Sequence, residues 1–470
     1  MPAFLENTVI SREKRFFTLS AYQGKIRDLQ NEWTVPEPHQ RIRTLSQANS
    51  DDILEALRLL STIPEAVVVI HGVIGCGAAC LDFYQGSSGV WYSTALHERD
   101  TILGGDEKLR RVLERAYREQ HPRAIFIVGT PVVAINNDDI NSVILELEAE
   151  FDTRIISIPS DGFKSKVAVN GIDIVLHAIG KYLVDTPTGG NAAPGEDFVN
   201  LIAVSENRRG VDALVRLLTS IGCNAHGIPR FSPLSRIARA GEAKASIAIN
   251  DSRADVFLRG LAEKTGVVFA ESRTPVGITA TSAWLLTLGK LIHREEAAQE
   301  RINTETKKWR PVFSKKPLAG KRFFISLPAE EAAETALFLE ALGADITGIS
   351  IDAADETNRE ALTRLSGDLF VHVGNGQPFE LANMVSKDPP DFYITGNGSA
   401  AWALEFGVLP VALEYQTLYG YEGAAELLQS IQAAGTRRGF ADYLFANPRH
   451  PYKASWLKKN ANWHIKQEVT

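Results

Sequence analysis

The chain has 470 residues, a formal charge of −7, and 44% hydrophobic and 23% charged residues. That length leaves room for about three domains, and the mixture excludes disordered, collagen-like and disulfide-scaffold classes. The acidic balance gives no broad basic field for nucleic acid or an anionic membrane, so neither is expected as a partner.

Three cysteines are too few for a disulfide framework and point to a reducing compartment. The N-terminal MPAFLENTVISREKRFF lacks the basic flank and long apolar core of a secretory signal. No stretch approaches the ~20 apolar residues of a membrane helix. A soluble, cytoplasmic chain is expected.

In chain order, an N-terminal arm (1–45) precedes a first α/β stretch (46–198). Here Ala66–Ile70 (AVVVI) leads into HGVIGCG, Ala124–Val128 (AIFIV) into GTPVVAINNDDI, and Arg154–Ile158 (RIISI) into PSDGF. Runs apolar on consecutive positions suit strands covered on both faces, as in parallel sheets. Asp106–Gln120 reads as a helix, with Leu109, Val112, Leu113 and Ala116 on one stripe. The rhythm restarts at Asn200 (199–317), with a helix over Arg209–Ile221 and strands near Ser246 and Gly266. His293–Trp309 reads as a charged, helical, solvated connector. A third set (318–445) starts at Arg322, and 446–470 forms a C-terminal docking tail. The predicted fold is α/β: three doubly wound, Rossmann-like domains with mainly parallel sheets.

Ligands of such sheets sit at the carboxyl ends of strands. Cys76, in His71-Gly-Val-Ile-Gly-Cys-Gly, falls where a strand turns into a helix, and a helix N-terminus favours the metal-binding thiolate. The plainer alternative is a small buried thiol in a tight turn. Cys80 and Cys223 read as core and packing. No CxxC pair exists, so a complete zinc or iron–sulfur site within one chain is not expected. His71 follows a strand and either orients a ligand or is a satisfied turn histidine. Asp138 and Asp139 read as caps for INSVILELEAE rather than metal ligands. Asp161 is a turn residue with an outside claim as an oxygen ligand. Gly374-Asn-Gly376 and Gly396-Asn-Gly398 are too short to specify a nucleotide, and HExxH, GxxxxGK[ST] and GxSxG are absent. Trp456 and Trp463 read as docking surface.

Taken in order, these segments resemble the nitrogenase component 1 superfamily. His71–Gly77 is similar to its HGPxGC turn, which contributes a cluster cysteine. Ser93–Leu109 is similar to its TTxLxExDVxFGGxxKL segment, Thr130–Ile140 to the loop before IGDDI, and Ser160–Phe163 to its following GF turn. Trp309, Gly320–Arg322 and Leu418–Gly423 resemble stretches of α-type and scaffold E-type subunits.

The departures are informative. Only the middle cluster cysteine, Cys76, is present: Gln47–Asp51 has none, and Pro131 stands at the third place. The cofactor cysteine and histidine of the second and third domains are missing from Ser246–Asn250 and Pro410–Gly423.

The resemblance implies that Cys76 is a lone metal ligand to an iron–sulfur cluster, [4Fe–4S] or larger, shared at a subunit interface. A homologous K/N-type subunit in an α2β2 heterotetramer would supply the rest and hold any nitrogenase-type cofactor. The main expectation is a subunit of a nitrogenase-like oxidoreductase, served by a transient ATP-dependent Fe–S reductase homodimer. The alternative is the single-cysteine subunit of a cofactor-assembly scaffold with no turnover of its own. A third reading is a structural partner in which Cys76 is only packed.

Overall fold

A computed structural model describes residues 4, 9–32, 51–76, 89–163, 165, 167–186, 198–374, 377–396 and 400–459. The fold is α/β with mainly parallel sheets, as the strand–turn–helix rhythm predicts, and it packs as two compact units. No helix among the described residues is long and apolar enough to cross a membrane.

Of the strands, β1 (Tyr22–Lys25) belongs to the second unit. The first unit is drawn from the described parts of Met1–Arg15, Ser50–Arg208 and Cys223–Glu271. Its first sheet contains β2 (Ala66–His71), β3 (Val90–Ser93), β4 (Ala124–Gly129) and β5 (Arg154–Ile158) in the order β3-β2-β4-β5, all parallel. Every residue of β2 and β4 is buried, which explains their unbroken apolar runs. The helix Asp106–Gln120 forms as predicted. Its Leu109, Leu113 and Ala116 pack against Val67, Val69, Ile125 and Ile127, with Val112 at the margin of this core. Each such aliphatic side chain contributes about 1.5–3 kcal/mol by leaving water. The winding reverses between β2 and β4, so the loops that follow these two strands flank a topological switch point.

The second sheet of this unit is also all parallel, in the order β7-β6-β8-β9. It comprises β6 (Phe198–Ala203), β7 (Asn224–Pro229), β8 (Ala245–Ala248) and β9 (Val268–Ala270). The Arg12 side chain is buried in the unit. It faces the buried Asp173 at 3.3 Å and donates to the Ser252 carbonyl at 2.7 Å.

The second unit holds β10 (Arg322–Ser326), β11 (Asp345–Ile351), β12 (Phe370–Val373), β13 (Phe392–Thr395) and β14 (Leu409–Ala412) in the order β1-β12-β11-β10-β13-β14. Strand β1 is the antiparallel member, with Tyr22 opposite Val373. The charged helical stretch expected as a solvated connector is the helix Glu295–Lys315, but it has one packed face. Ala298, Ile302, Glu305 and Trp309 are buried along it, and the Trp309 ring lies 5.8 Å from that of Phe338. Apolar residues spaced at i, i+4 and i+11 within a charged sequence are enough to bury one stripe.

Candidate functional site

The HGVIGC turn begins at the end of β2. Gly72 is required there, because a Cβ would lie 2.0 Å from Thr130 Oγ1, and that hydroxyl donates to the His71 carbonyl at 2.9 Å. Val73 bridges Leu96, the Cys76 N–H donates to the Val73 carbonyl at 3.1 Å, and the chain turns helical over residues 74–76. Cys76 is half-buried. Burial pushes its thiol above the ordinary value, and the nearby Asp51 carboxylate pushes it further. The expected thiolate preference is therefore overridden in the chain alone: partial desolvation and a neighbouring negative charge act against the helix terminus.

Asp51 caps the helix Asp52–Leu60 by accepting the Leu54 N–H at 2.8 Å. Asp52 is buried, and its Oδ1 accepts the Gly162 N–H at 2.9 Å. Burial, Asp161 and Asp51 together push Asp52 up to about 6. Asp161 is buried, and its Oδ1 accepts the Phe163 N–H at 3.0 Å, the local turn bond expected of a turn aspartate. A Cβ on Gly162 would sit 3.3 Å from Pro131 Cγ and 3.7 Å from Asp51 Oδ2. The end of the upstream segment, the proline at the third cysteine's place and the SDGF turn thus converge. Residues 47–50 of that upstream segment lie outside the described residues. Pro131 opens the helix Pro131–Asn136, where its fixed φ and missing N–H are suited to the first turn.

The two aspartates after Asn137 separate. Asp139 caps Ile140–Glu148 through the Ser142 N–H at 3.1 Å, as predicted. Asp138 does not share that cap. It turns inward, with Oδ2 3.3 Å from His71 Nε2, both side chains buried. Cys223 is buried, with Sγ 3.6 Å from the Asn224 carbonyl, as the packing reading expects. Cys80, Trp463 and parts of both GNG loops lie outside the described residues.

In the second sheet, Asn250 caps the helix Asp251–Thr265 through the Arg253 N–H at 3.1 Å. In the second unit, buried Tyr419 donates to Glu331 at 3.1 Å. Asn250 and Tyr419, in the two stretches where the resemblance led cofactor ligands to be sought, are thus engaged within the chain. Among the described residues no group of three or more His, Cys, Asp or Glu is placed to hold a metal ion. The Cys76 thiol, in the turn at the end of β2, has the chemistry an iron–sulfur cluster takes as a ligand. A cluster bound there would supply electron transfer or a place for cofactor assembly. Several apolar side chains of this unit are exposed, among them Ile74, Phe163, Ile135 (71%) and Ile102 (81%).

The fold and this turn define a class. Residues 53–434 match the family model described as nitrogenase component 1 type oxidoreductase, and the chain belongs to that family. Among curated relatives, the nitrogenase iron-molybdenum cofactor biosynthesis protein NifE of Methanococcus maripaludis is 24% identical over 78% of this chain and 78% of its own. The proteins of that name from Sinorhizobium fredii and Rhizobium meliloti are 24% and 25% identical, over 80% and 79% of this chain and 79% and 82% of their own. A solved nitrogenase Cp1 shares the fold at TM-score 0.73 and 15% identity, over 89% of this chain and 96% of that one. These relatives favour the assembly-scaffold alternative over the main expectation of an electron-relaying reductase subunit.

Proposed function

We propose that this chain is one subunit of a scaffold on which a nitrogenase-type metal cofactor is built. In this reading Cys76 lends one thiolate to an iron–sulfur cluster shared with a homologous partner subunit in a heterotetramer. The observation that carries it is the Cys76 thiol at the switch point, with a proline where the resemblance places a further ligand. The relatives named for cofactor biosynthesis support it. So does the absence of both cofactor ligands, whose segments carry Asn250 and Tyr419 engaged in internal bonds. A subunit that builds a cofactor and passes it on has reason to hold it through few of its own groups. A cytoplasmic location belongs to the same proposal.

The test is to purify the chain anaerobically with its partner subunit and supply cofactor precursor, reductant and an ATP-dependent Fe–S reductase. A scaffold takes up and releases metal cofactor without steady reduction of a small substrate. Sustained, ATP-dependent substrate turnover would instead establish the reductase reading.

A further inference from the structure

The first unit contains a buried pair that no role so far uses. His71, the last residue of β2, and Asp138, just after the helix Pro131–Asn136, face each other at 3.3 Å from Nε2 to Oδ2. Neither atom has a hydrogen-bond partner among the described residues, so the contact lies off the line of a hydrogen bond. Buried polar atoms left this way are costly, and such pairs are rare in folded chains.

Thr94 contacts the other ring nitrogen. Thr94 Oγ1 lies 3.1 Å from His71 Nδ1, accepts the Gly72 N–H at 2.9 Å and donates to the Gly72 carbonyl at 3.3 Å. With the Thr94 proton on that carbonyl, Thr94 accepts from Nδ1–H, leaving Nε2 as a bare lone pair 3.3 Å from a carboxylate oxygen. Two acceptors then face each other in a dry site, which one proton would reconcile. The third wall is Gly105, whose N–H donates to Asp138 and whose Cβ would sit 2.8 Å from Oδ2 and 2.9 Å from His71 Cε1. The charged neighbour acting on Asp138 is Asp106 on the following helix. Three segments that carry the family resemblance, HGVIGC, LGGDEKL and NNDDI, therefore meet at this pair.

We infer that His71 and Asp138 form a proton-operated latch, in which protonated Asp138 donates to His71 Nε2 and ties the base of the Cys76 turn to the 131–139 loop. Burial independently favours this form. It drives His71 down to about 4 and, with Asp106, raises Asp138, two shifts that each favour the uncharged group. Loss of the proton opens the latch and loosens the turn. The two residues are positioning residues, and the inference rests on Cys76 being the working residue of that turn.

The experiment uses the full chain with 15N-labelled histidine, His71 being assigned by His71→Gln. Its ring shifts are followed with pH, alongside hydrogen exchange of the backbone amides at residues 71–76. Nε2 should change from hydrogen-bonded to bare as pH rises. Exchange in the turn should rise about three- to tenfold beyond the intrinsic pH effect, the range one buried hydrogen bond supplies. Asp138→Asn, whose amide donates at any pH, should stay protected throughout. Asp138→Ala should behave at every pH like the wild type at high pH. A pH-independent Nε2 signal in the wild type would overturn the latch even if the alanine variant failed to fold. None of these readings depends on iron, so failure of the cluster assignment would register separately.

Discussion

Asp52 Oδ1 accepts the Gly162 N–H at 2.9 Å, so a carboxylate in the first turn of one helix pins the SDGF loop that follows β5. Because burial and its acidic neighbours raise Asp52 to about 6, the folded state holds this proton more tightly than the unfolded chain, whose value is near 3.8. The native state then binds more protons, and stability falls as pH rises through this window. The expected loss between about pH 4 and pH 7 is ~2–3 kcal/mol from this group. Denaturant unfolding at both pH values should show a shallower fall for Asp52→Asn, which still accepts from Gly162. Identical pH slopes for the two proteins would contradict this.

The N-terminal segment is held by buried charge. Arg12 contacts Asp173 and the Ser252 carbonyl, and its backbone N–H donates to Asn170 at 3.0 Å. Arg12→Met leaves Asp173 with Arg15 as its paired cation among the described residues. Removing one partner of a buried pair costs about 3–5 kcal/mol, and the remaining arginine places this case at the low end. Urea unfolding should report that loss, with faster proteolysis near the N-terminus. A change below about 1 kcal/mol would mean the pair is not buried in solution.

The Cys76 thiol, raised by burial and then by Asp51, should alkylate slowly near neutral pH in the chain without its partner. Asp51→Asn removes the negative charge and retains a capping oxygen for Leu54, so it should speed alkylation severalfold without loss of stability. Fragment-level mass spectrometry separates Cys76 from Cys80, four residues on, and from the buried Cys223. An unchanged rate would show that Asp51 does not act on the thiol.

Strands β2 and β4 and the helix Asp106–Gln120 were legible because burial on both faces, or along one stripe, writes a local apolar pattern. Strand β1 was not: YQGK carries no such pattern, and its pairing with β12 is imposed by tertiary contact. At the site, Asp139 announced itself through the helix that follows it. Asp138 could not, because its partner His71 is 67 positions away and only the β2/β4 switch point brings them together. The raised Cys76 thiol was hidden for the same reason: helix position is local, whereas desolvation and the Asp51 charge belong to the fold.

The most direct measurement is iron per complex, with the chain co-purified anaerobically with its partner as wild type and as Cys76→Ala. If Cys76 lends a thiolate to a shared cluster, iron and the visible cluster absorption fall while the two subunits still co-purify. Unchanged iron in an intact complex would contradict that assignment and leave Cys76 as packing in a structural partner.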